Sequence, residues 1–245
     1  MASAAVHLWR VELDVGAEAE AACRALLSAD ELARAGRLAE TAARRRFVVA
    51  RGTLRQLLGG LLGEQPRSVP IEEGPSGKPR LGGGRRFHFN VAHSGDLALI
   101  CIAEGAEVGV DLEALRPVPS AAAIARRRFS AAEADFVEQG KAETTDSEPS
   151  EIDRRFLLCW TRKEAVVKAI GAGLDFDLRG FSVPLGPAGG VVELSDPDGG
   201  EPQRWQLSDV PLGPDHMAAL ALSAPDAVGS GVMKPPPVRT ARIAR

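Results

Sequence analysis

Apolar and polar positions alternate near the start of the chain, in "VHLWRVEL" from residue 6, and this alternation predicts a β-strand. "SADE" at 28–31 then has the form of a capping box, in which a serine hydroxyl and a glutamate carboxylate bond the free amides at a helix start. Further along, Phe47, Leu54, Leu57, Leu58 and Leu61 recur at helical spacing. We therefore predict a pair of helices after the strand, the longer over about 38–62.

The next part of the chain predicts a loop followed by three strands. Glycines and prolines in "EEGPSGKPRLGGG" exclude regular structure there. The strands are "RFHFNVA", "LALICIA" after the turn "HSGD", and "EVGVDLE". A period of two in the third strand puts Val108, Val110 and Leu112 on one face and Gly109, Asp111 and Glu113 on the other. Two carboxylates therefore project together.

The second half repeats the order of helices and then strands. "SAAE" at 130–133 is a second capping box, and the helix that it starts runs into an acidic stretch, 139–153, predicted to be mobile. A helix over about 153–170 follows and ends at "GAG". "FSVPL", "GVVELSD", "QRWQLSD" and "MAALALSA" then read as strands.

This repeated order predicts an α+β protein made of two similar α/β lobes in a pseudo-twofold arrangement. We assign 1–108 to the N-terminal lobe and 109–225 to the C-terminal lobe. Residues 226–245, "DAVGSGVMKPPPVRTARIAR", have the composition of a disordered tail.

Composition narrows the class of protein. The 245 residues are 44% apolar and 26% charged, as in soluble globular proteins. The opening lacks a signal-peptide pattern and no segment approaches eighteen uncharged apolar residues, so we expect a cytoplasmic protein without a membrane partner. Cys23, Cys101 and Cys159 are far apart with apolar neighbours, which predicts buried free thiols.

Charge is uneven along the chain. The net charge of −3 argues against a general nucleic-acid binder. Residues 34–55 nevertheless hold seven arginines against Glu40, whereas 130–153 hold eight acids against Lys141. This distribution favours a local anion site over a uniformly basic face.

Two pairs of residues are candidates for chemistry. Asp111 and Glu113 offer the hard oxygen ligands that suit Mg²⁺, and the alternative is a solvated strand edge. Glu164 and Lys168 are four apart and would be neighbours on a helix, where a plain surface pair is the alternative. Their segment, "WTRKEAVVK" from Trp160, is otherwise built like a buried helix, so its charges need partners.

Phosphate binding would have to come from side chains, because no GxxxxGK[ST] loop and no GxGxxG after a strand is present. His93 at a strand end is either a structural or a ligand-binding histidine. Lys78 in "SGKP" would ordinarily be a surface lysine in a turn, and the run of arginines at 44–46 would ordinarily face solvent.

The order of these motifs resembles the Sfp-type 4′-phosphopantetheinyl transferases, which move the phosphopantetheine arm of coenzyme A onto a serine of acyl or peptidyl carrier proteins. The motifs are "SGKP" (76–79), "FNVAHSG" (89–95), "VGVDLE" (108–113), "FSAAE" (129–133) and "WTRKEAVVKAIGAGL" (160–174). The likeness extends from the first strand to about residue 224. It points to the larger, two-lobed members and implies a monomer.

The resemblance implies a metal and a catalytic set. Asp111, Glu113 and Glu164 would hold Mg²⁺ beside the diphosphate of coenzyme A. Glu164 would be the base for the carrier serine, directly or through water, and Lys168 would stabilise or protonate the departing phosphate.

It also implies a phosphate-binding set and one departure. His93, Lys78, Arg46 and Arg34 would pair with coenzyme phosphates. Ala92 stands where the family commonly has serine, so a hydroxyl contact to phosphate would be missing. The acidic stretch at 139–153 has no counterpart that we can assign.

Other readings stay open at this stage. A Mg²⁺-dependent hydrolase of coenzyme A or of another nucleotide pyrophosphate is the main alternative function, and a non-catalytic nucleic-acid binder is disfavoured by the net acidity. "ARRRF" at 125–129 is a candidate surface for acidic carriers or an ordinary polar helix end. Polyketide, peptide and fatty-acid carriers, and acylated forms of coenzyme A, all remain possible substrates.

Overall fold

The computed structural model describes residues 5–74, 76–141, 148–173, 176–186, 189–195, 200–223 and 236–241. The helices are α1 (Ala17–Ala25), α2 (Ala29–Arg37), α3 (Thr41–Leu62), α4 (Ala121–Arg128), α5 (Ala131–Glu138) and α6 (Glu151–Ile170). The strands are β1 (Val6–Glu12), β2 (Ile71–Glu73), β3 (Pro79–Leu81), β4 (Phe87–Ser94), β5 (Leu97–Glu104), β6 (Val108–Ala114), β7 (Gly190–Leu194), β8 (Gln203–Asp209), β9 (His216–Ser223) and β10 (Val238–Thr240). None of the described helices has both the length and the apolar character needed to span a membrane.

The two halves share a topology. Four-stranded sheets run in the orders β10-β1-β5-β4 and β6-β9-β8-β7. In each half the first strand pairs antiparallel with the last strand of that half, β1 with β5 and β6 with β9, after helices have intervened. The predicted α+β fold with two similar lobes is therefore confirmed. Strand β5 of the first sheet ends at Glu104 and β6 of the second begins at Val108, but β10 returns to the first sheet, so the division of the chain at 108–109 stays a prediction.

The sheets stack face to face between two helical layers. On β5, Ala98, Ile100 and Ile102 pack in the cluster that contains α3, whereas Leu97 and Leu99 pack in a cluster shared with the second sheet. We call the shared cluster the inter-lobe core. Strand β9 is likewise buried on both faces, between the inter-lobe core and α6. Burial on both faces explains why these two strands are apolar almost throughout.

Strand β6 has the predicted alternation. Val108, Val110 and Leu112 are buried in the inter-lobe core. The opposite face of the strand lies against α6, and Gly109 is in direct contact with the helix backbone.

Side chains join the facing edges of the two sheets. Strands β4 and β6 belong to different sheets, and the Asn90 side-chain oxygen on β4 accepts a hydrogen bond from the Val110 amide at 3.0 Å. The Ser94 hydroxyl accepts another from the Ala114 amide at 2.9 Å. The motif "FNVAHS" therefore connects the lobes as well as forming a strand.

Helix ends agree with the sequence. Ser28 and Glu31 form the predicted reciprocal capping box at α2. Glu133 accepts a hydrogen bond from the Ser130 amide at 2.8 Å at the start of α5. Helix α6 begins at Glu151, after an N-cap at Ser150, slightly before the predicted start, and ends at Gly171 with φ of 75°.

Three local predictions were wrong. The loop at 72–84 contains most of a two-stranded hairpin, in which Ile71, Glu72 and Glu73 of β2 pair antiparallel with Leu81, Arg80 and Pro79 of β3. Helix α1 was not predicted. The segment "FSVPL" is not a strand: it follows a 3-10 turn, Leu178–Gly180, and a carbonyl of Phe181 accepts a bond from Lys163.

The prediction of a disordered tail at 226–245 was also wrong in part. Residues 238–240 form β10, which pairs in parallel with β1. Val238 packs against the inter-lobe core and Ala241 packs against the cluster that contains α3, so two small apolar contacts and the free edge of β1 hold this segment. The rest of the tail, and residues 142–147 of the acidic stretch, lie outside the described residues.

Candidate active site

Asp111 is the most deeply buried carboxylate of the predicted site. It is 5% exposed, and its Oδ1 accepts a hydrogen bond from the Lys168 ammonium at 2.5 Å. Its Oδ2 is buried and has no hydrogen-bond partner among the described residues. Burial raises the pKa of Asp111, and the nearby Lys168 opposes that shift. Among the described residues, Oδ2 therefore meets no donor in hydrogen-bonding geometry, although the Leu112 backbone also helps to lower the pKa of this carboxylate.

Gly109 brings α6 close enough for this contact. A Cβ atom at residue 109 would lie 2.1 Å from the Ala165 carbonyl oxygen and 2.3 Å from the Ala169 nitrogen. Only glycine lets the helix backbone rest on the strand at this distance. Glu164 and Lys168 directly precede these two alanines, so the close approach brings their part of α6 to the strand that carries Asp111.

Three carboxylates share one electrostatic region. Burial raises the pKa of Glu164, and the charges of Asp111 and Glu113 raise it further. Burial likewise raises the pKa of Glu113, with repulsion from Asp111 as the next cause. Within the described part of the chain, no three His, Cys, Asp or Glu side chains form a ready-made metal cage.

Cations border the carboxylates. The pKa of His93, at the end of β4, is lowered by partial desolvation and then by the charges of Lys168 and Arg46. Arg46 reaches from α3 to the β4–β5 turn, where its Nε donates to Asp96 Oδ1 at 2.8 Å. The charges of Lys168 and Arg46 therefore both act on His93, whose lowered pKa favours the uncharged imidazole.

Lys78 lies between the lobes and has acceptors for three protons. Its ammonium donates to Glu107 Oε2 at 3.2 Å, to the Val108 carbonyl at 3.2 Å and to the Ala169 carbonyl at 2.8 Å. Burial lowers the pKa of this lysine. The predicted contact with a coenzyme phosphate stays a prediction, and it requires one of these bonds to be given up.

Arg34 is exposed and lies apart from the carboxylates. It lines a cavity of about 570 Å³ between α2, α3 and the β2 strand, together with Arg37 and Arg51. Its guanidinium lies 5.5 Å from the centre of the Phe47 ring. We call this space the Arg34 cavity.

A cleft of about 240 Å³ is lined by residues of both lobes. Glu164 and Lys168 line it from α6, and Asn90 lines it from β4. The loop 76–79 forms another wall and also borders the Arg34 cavity, through Gly77 and Pro79. We call this space the reaction cleft.

Two charges of "WTRKEAVVK" are structural, which the sequence did not reveal. Arg162 is 1% exposed and donates to Asp209 and to carbonyls at 184 and 186. Lys163 is fully buried and forms an ion pair with Glu133 at 2.9 Å. Both hold the segment 178–186 on α6. The only indication in the sequence was that this helix is otherwise apolar, so that each of its charged side chains needs a partner.

Ala92 lies between two residues that border the candidate site. It is 3% exposed and packs in the inter-lobe core, on the β4 face that also carries Asn90 and Ser94. Asn90 lines the reaction cleft, and the Ser94 hydroxyl lies 3.5 Å from Glu113 Oε2. The missing hydroxyl contact with phosphate at this alanine stays a prediction.

Comparison with known proteins agrees with this geometry. Residues 107–221 match the family model described as the 4′-phosphopantetheinyl transferase superfamily. The chain is 39% identical over 223 residues to the 4′-phosphopantetheinyl transferase HetI of Nostoc sp., covering 89% of this chain and 87% of that protein. It is 32% identical over 169 residues to the 4′-phosphopantetheinyl transferase of Bacillus subtilis, covering 64% and 70% of the two chains. It is 27% identical over 189 residues to the human L-aminoadipate-semialdehyde dehydrogenase-phosphopantetheinyl transferase, covering 71% and 59%. The chain therefore belongs to the 4′-phosphopantetheinyl transferase superfamily.

Proposed function

We propose that this protein transfers the 4′-phosphopantetheine group of coenzyme A to a serine of a carrier protein, and that Mg²⁺ is its cofactor. The observation that carries the proposal is the buried Oδ2 of Asp111, which has no hydrogen-bond partner among the described residues. Oδ1 of the same carboxylate accepts from Lys168, and Lys168 lines the reaction cleft. A buried acceptor without a partner costs about 1–3 kcal/mol, and a cation bound to Oδ2 would remove that cost.

The donors fit Mg²⁺. Asp111, Glu113 and Glu164 are the residues that would hold the ion, because carboxylate oxygens are the ligands that it prefers. Magnesium sites commonly use one or two carboxylates and complete their coordination with water and substrate phosphates, so a full protein cage is not required. An ion bound there would neutralise charge on the diphosphate oxygens of coenzyme A.

Glu164 is the proposed base. It lines the reaction cleft, and its raised pKa brings it nearer to neutral pH, where a base accepts and releases a proton most effectively. The serine oxygen forms a bond to the β-phosphorus of coenzyme A and loses its proton to the Glu164 carboxylate. The bond between that phosphorus and the bridging oxygen breaks, and adenosine 3′,5′-bisphosphate leaves.

Lys168 and its neighbours bind the departing group. The Lys168 side chain is about one-third exposed, so its ammonium can turn from Asp111 toward a phosphate oxygen. Lys168 and Arg46 both act electrostatically on His93, and His93 and Arg46 are the proposed partners of further phosphate oxygens. Lys168 would stabilise or protonate the phosphate as its negative charge grows.

The carrier would dock on the end of α4. Arg127 and Arg128 are exposed there, whereas Arg126 is already paired with Glu138. Carrier domains are generally acidic, so an exposed basic pair favours their approach. Because one chain supplies both lobes and the inter-lobe core between them, we also propose that the protein acts as a monomer.

Intact-protein mass spectrometry tests the function. The purified protein is incubated with coenzyme A, Mg²⁺ and a panel of apo carriers of the polyketide, peptide and fatty-acid types. We expect one phosphopantetheine to be added to at least one carrier, and Glu164→Gln to abolish the addition. Glu193→Gln is the matched control, because Glu193 pairs with Arg204 on the exposed face of β7.

The outcomes separate the alternatives. Full activity of Glu164→Gln would refute the role of Glu164. Release of adenosine 3′,5′-bisphosphate without any acceptor protein would instead support the hydrolase.

A further inference from the structure

One ammonium group of the first lobe is bonded to the backbone of both elements that carry the proposed reaction. Lys78, in the turn before β3, donates to the Val108 carbonyl at 3.2 Å and to the Ala169 carbonyl at 2.8 Å. Val108 begins β6, the strand of Asp111, and Ala169 directly follows Lys168 on α6. The proposed reaction gives Lys78 no chemical step, yet both of its backbone bonds join the lobes.

The bond to Ala169 caps the end of α6. The last carbonyls of an α-helix have no amide partner within the helix. The amides of Gly171 and Ala172 both donate to the Val167 carbonyl, whereas the Ala169 carbonyl accepts from Lys78. A cation at this position also interacts favourably with the negative end of the helix dipole. Lys78 is therefore a cap for α6 that comes from the other lobe.

The bond to Val108 belongs to a row of bonds along the free edge of β6. This strand pairs with β9 on one side and is the last strand of its sheet on the other. Side chains of β4 bond the Val110 and Ala114 amides of the same strand. Alternate residues of a strand direct their backbone groups to the same edge. Lys78 therefore extends this row to the first residue of β6.

The ammonium group of Lys78 is held in place on every side that can donate. Glu107 accepts from it at 3.2 Å, and the other oxygen of that carboxylate lies 2.8 Å from His88 Nδ1 on β4. Gly171 leaves room for the lysine stem, because a Cβ atom at residue 171 would lie 3.3 Å from Lys78 Cδ. The side chain is 19% exposed. Each of its three N–H donors thus has an acceptor from the protein.

We propose that Lys78 is a positioning residue, which fixes the end of α6 on the free edge of β6 and so sets the placement of Lys168 relative to Asp111. Gly109 lets the two elements touch, and Lys78 fixes their alignment. The consequence for catalysis rests on the proposed function. A lysine that only bound phosphate would act on the affinity for coenzyme A, whereas a positioning lysine acts on the rate of the chemical step.

Hydrogen exchange measured by mass spectrometry tests the positioning without any substrate. Lys78→Met removes the donors and keeps an unbranched apolar stem. We expect the amides at residues 167–172 to exchange at least about tenfold faster than in the wild type, and those at 154–159 to change much less. Arg80→Met is the matched control, because Arg80 is a neighbouring cation whose ion-pair partner among the described residues is Glu72. Unchanged exchange at 167–172 in Lys78→Met would overturn the proposal.

Side-chain chemistry separates the hydrogen bonds of Lys78 from its charge. In Lys78→Cys, the thiolate displaces bromide from 2-bromoethylamine and gains an ammonium group at the length of lysine. The reagent (2-bromoethyl)trimethylammonium adds the same charge at the same length without an N–H donor. Cys23, Cys101 and Cys159 are buried and should react slowly, and wild-type protein treated with each reagent is the control.

Steady-state transfer to an apo carrier compares the two products. Unmodified Lys78→Cys should lose kcat by at least about tenfold, with the Michaelis constant for coenzyme A changed by less than about twofold. The aminoethyl product should regain most of the rate and the trimethylammonium product almost none, because only the first can donate to the two carbonyls. Equal recovery with both reagents, or a loss confined to the Michaelis constant, would show that Lys78 acts by its charge alone.

The two experiments fail independently of the proposed function. If the wild type modifies no carrier while Lys78→Met still speeds exchange at the end of α6, the proposed function fails and the role of Lys78 in positioning the helix stands. If carriers are modified but exchange at 167–172 does not change, this inference fails alone.

Discussion

Asn90 on β4 and Val110 on β6 are buried, and the side-chain oxygen of Asn90 accepts a hydrogen bond from the Val110 amide at 3.0 Å. This bond crosses from one lobe to the other. Asn90 lines the reaction cleft, and Val110 immediately precedes Asp111. The position of Asp111, the proposed metal ligand, therefore depends on the contact between the sheets.

Removal of this bond should destabilise the protein. Asn90→Ala leaves a buried amide without an acceptor, so the free energy of unfolding should fall by about 1–3 kcal/mol. Urea denaturation measures the change. Ser223→Ala is the control: its hydroxyl accepts from the Glu107 amide at 3.0 Å in an exposed setting, where water can take its place. Equal losses of unfolding free energy in the two variants would show that the bond between Asn90 and Val110 has no special importance for stability.

Loss of one partner of the buried ion pair between Glu133 and Lys163 should strongly destabilise the protein. Lys163→Met leaves the Glu133 charge buried with only the amides of Ser130 and Val183 as donors. We expect a loss of about 3–5 kcal/mol in the free energy of unfolding. Adding Glu133→Gln should restore part of it, because the unpaired charge is gone.

The matched control for this cycle is the exposed pair of Arg204 and Glu193. Arg204→Met should change stability by about 0–1 kcal/mol, since exposed ion pairs are screened by water. If the double variant of the buried pair is no more stable than Lys163→Met alone, the explanation through an uncompensated charge is wrong.

Glu107 should make part of the stability depend on pH. The hydrogen bond from His88, followed by the charge of Lys78, lowers the pKa of Glu107 to about 2 from an ordinary value of 4.5. A carboxylate with a lowered pKa stabilises the folded state above its unfolded pKa, and this contribution is lost as the pH falls from 4.5 toward 2. The destabilisation caused by Glu107→Gln should therefore shrink over that interval.

Denaturant midpoints measured for the wild type and for Glu107→Gln at a series of pH values check this expectation. Glu193→Gln serves as the reference for an exposed carboxylate. A gap between wild type and Glu107→Gln that stays constant down to pH 2 would contradict it.

Charge reversal at the end of α4 should affect the carrier selectively. Arg127→Glu with Arg128→Glu should raise the Michaelis constant for an acidic carrier at least about fivefold, with the constant for coenzyme A unchanged. The effect should weaken at high salt. Arg204→Glu, on the exposed part of β8, is the control. An unchanged carrier constant in the double variant would remove this surface from consideration.

Local patterns predicted most of the elements and the carboxylate face of β6. Val108, Val110 and Leu112 all lie in the inter-lobe core, as the period of two predicted, because successive side chains of a strand point to opposite faces of the sheet. The capping boxes located the starts of α2 and α5 for the same reason: each depends on residues only three positions apart.

Long-range contacts were not predictable in this way. Nothing in the sequence near Lys163 indicates that its partner is Glu133, thirty residues earlier, or that Lys78 would bond carbonyls of β6 and α6. The same holds for β10, whose partner β1 is at the other end of the chain. Such pairings depend on how complete lobes pack. A pattern within a short stretch of sequence contains no information about that packing.

Strand β10 also has a consequence for how the protein is made. Its residues are synthesised after the whole second lobe, yet they complete the sheet of the first. Nascent N-terminal lobes on the ribosome therefore expose one side of β1 until residues 238–240 have been synthesised, and that side can pair with other chains in the interval.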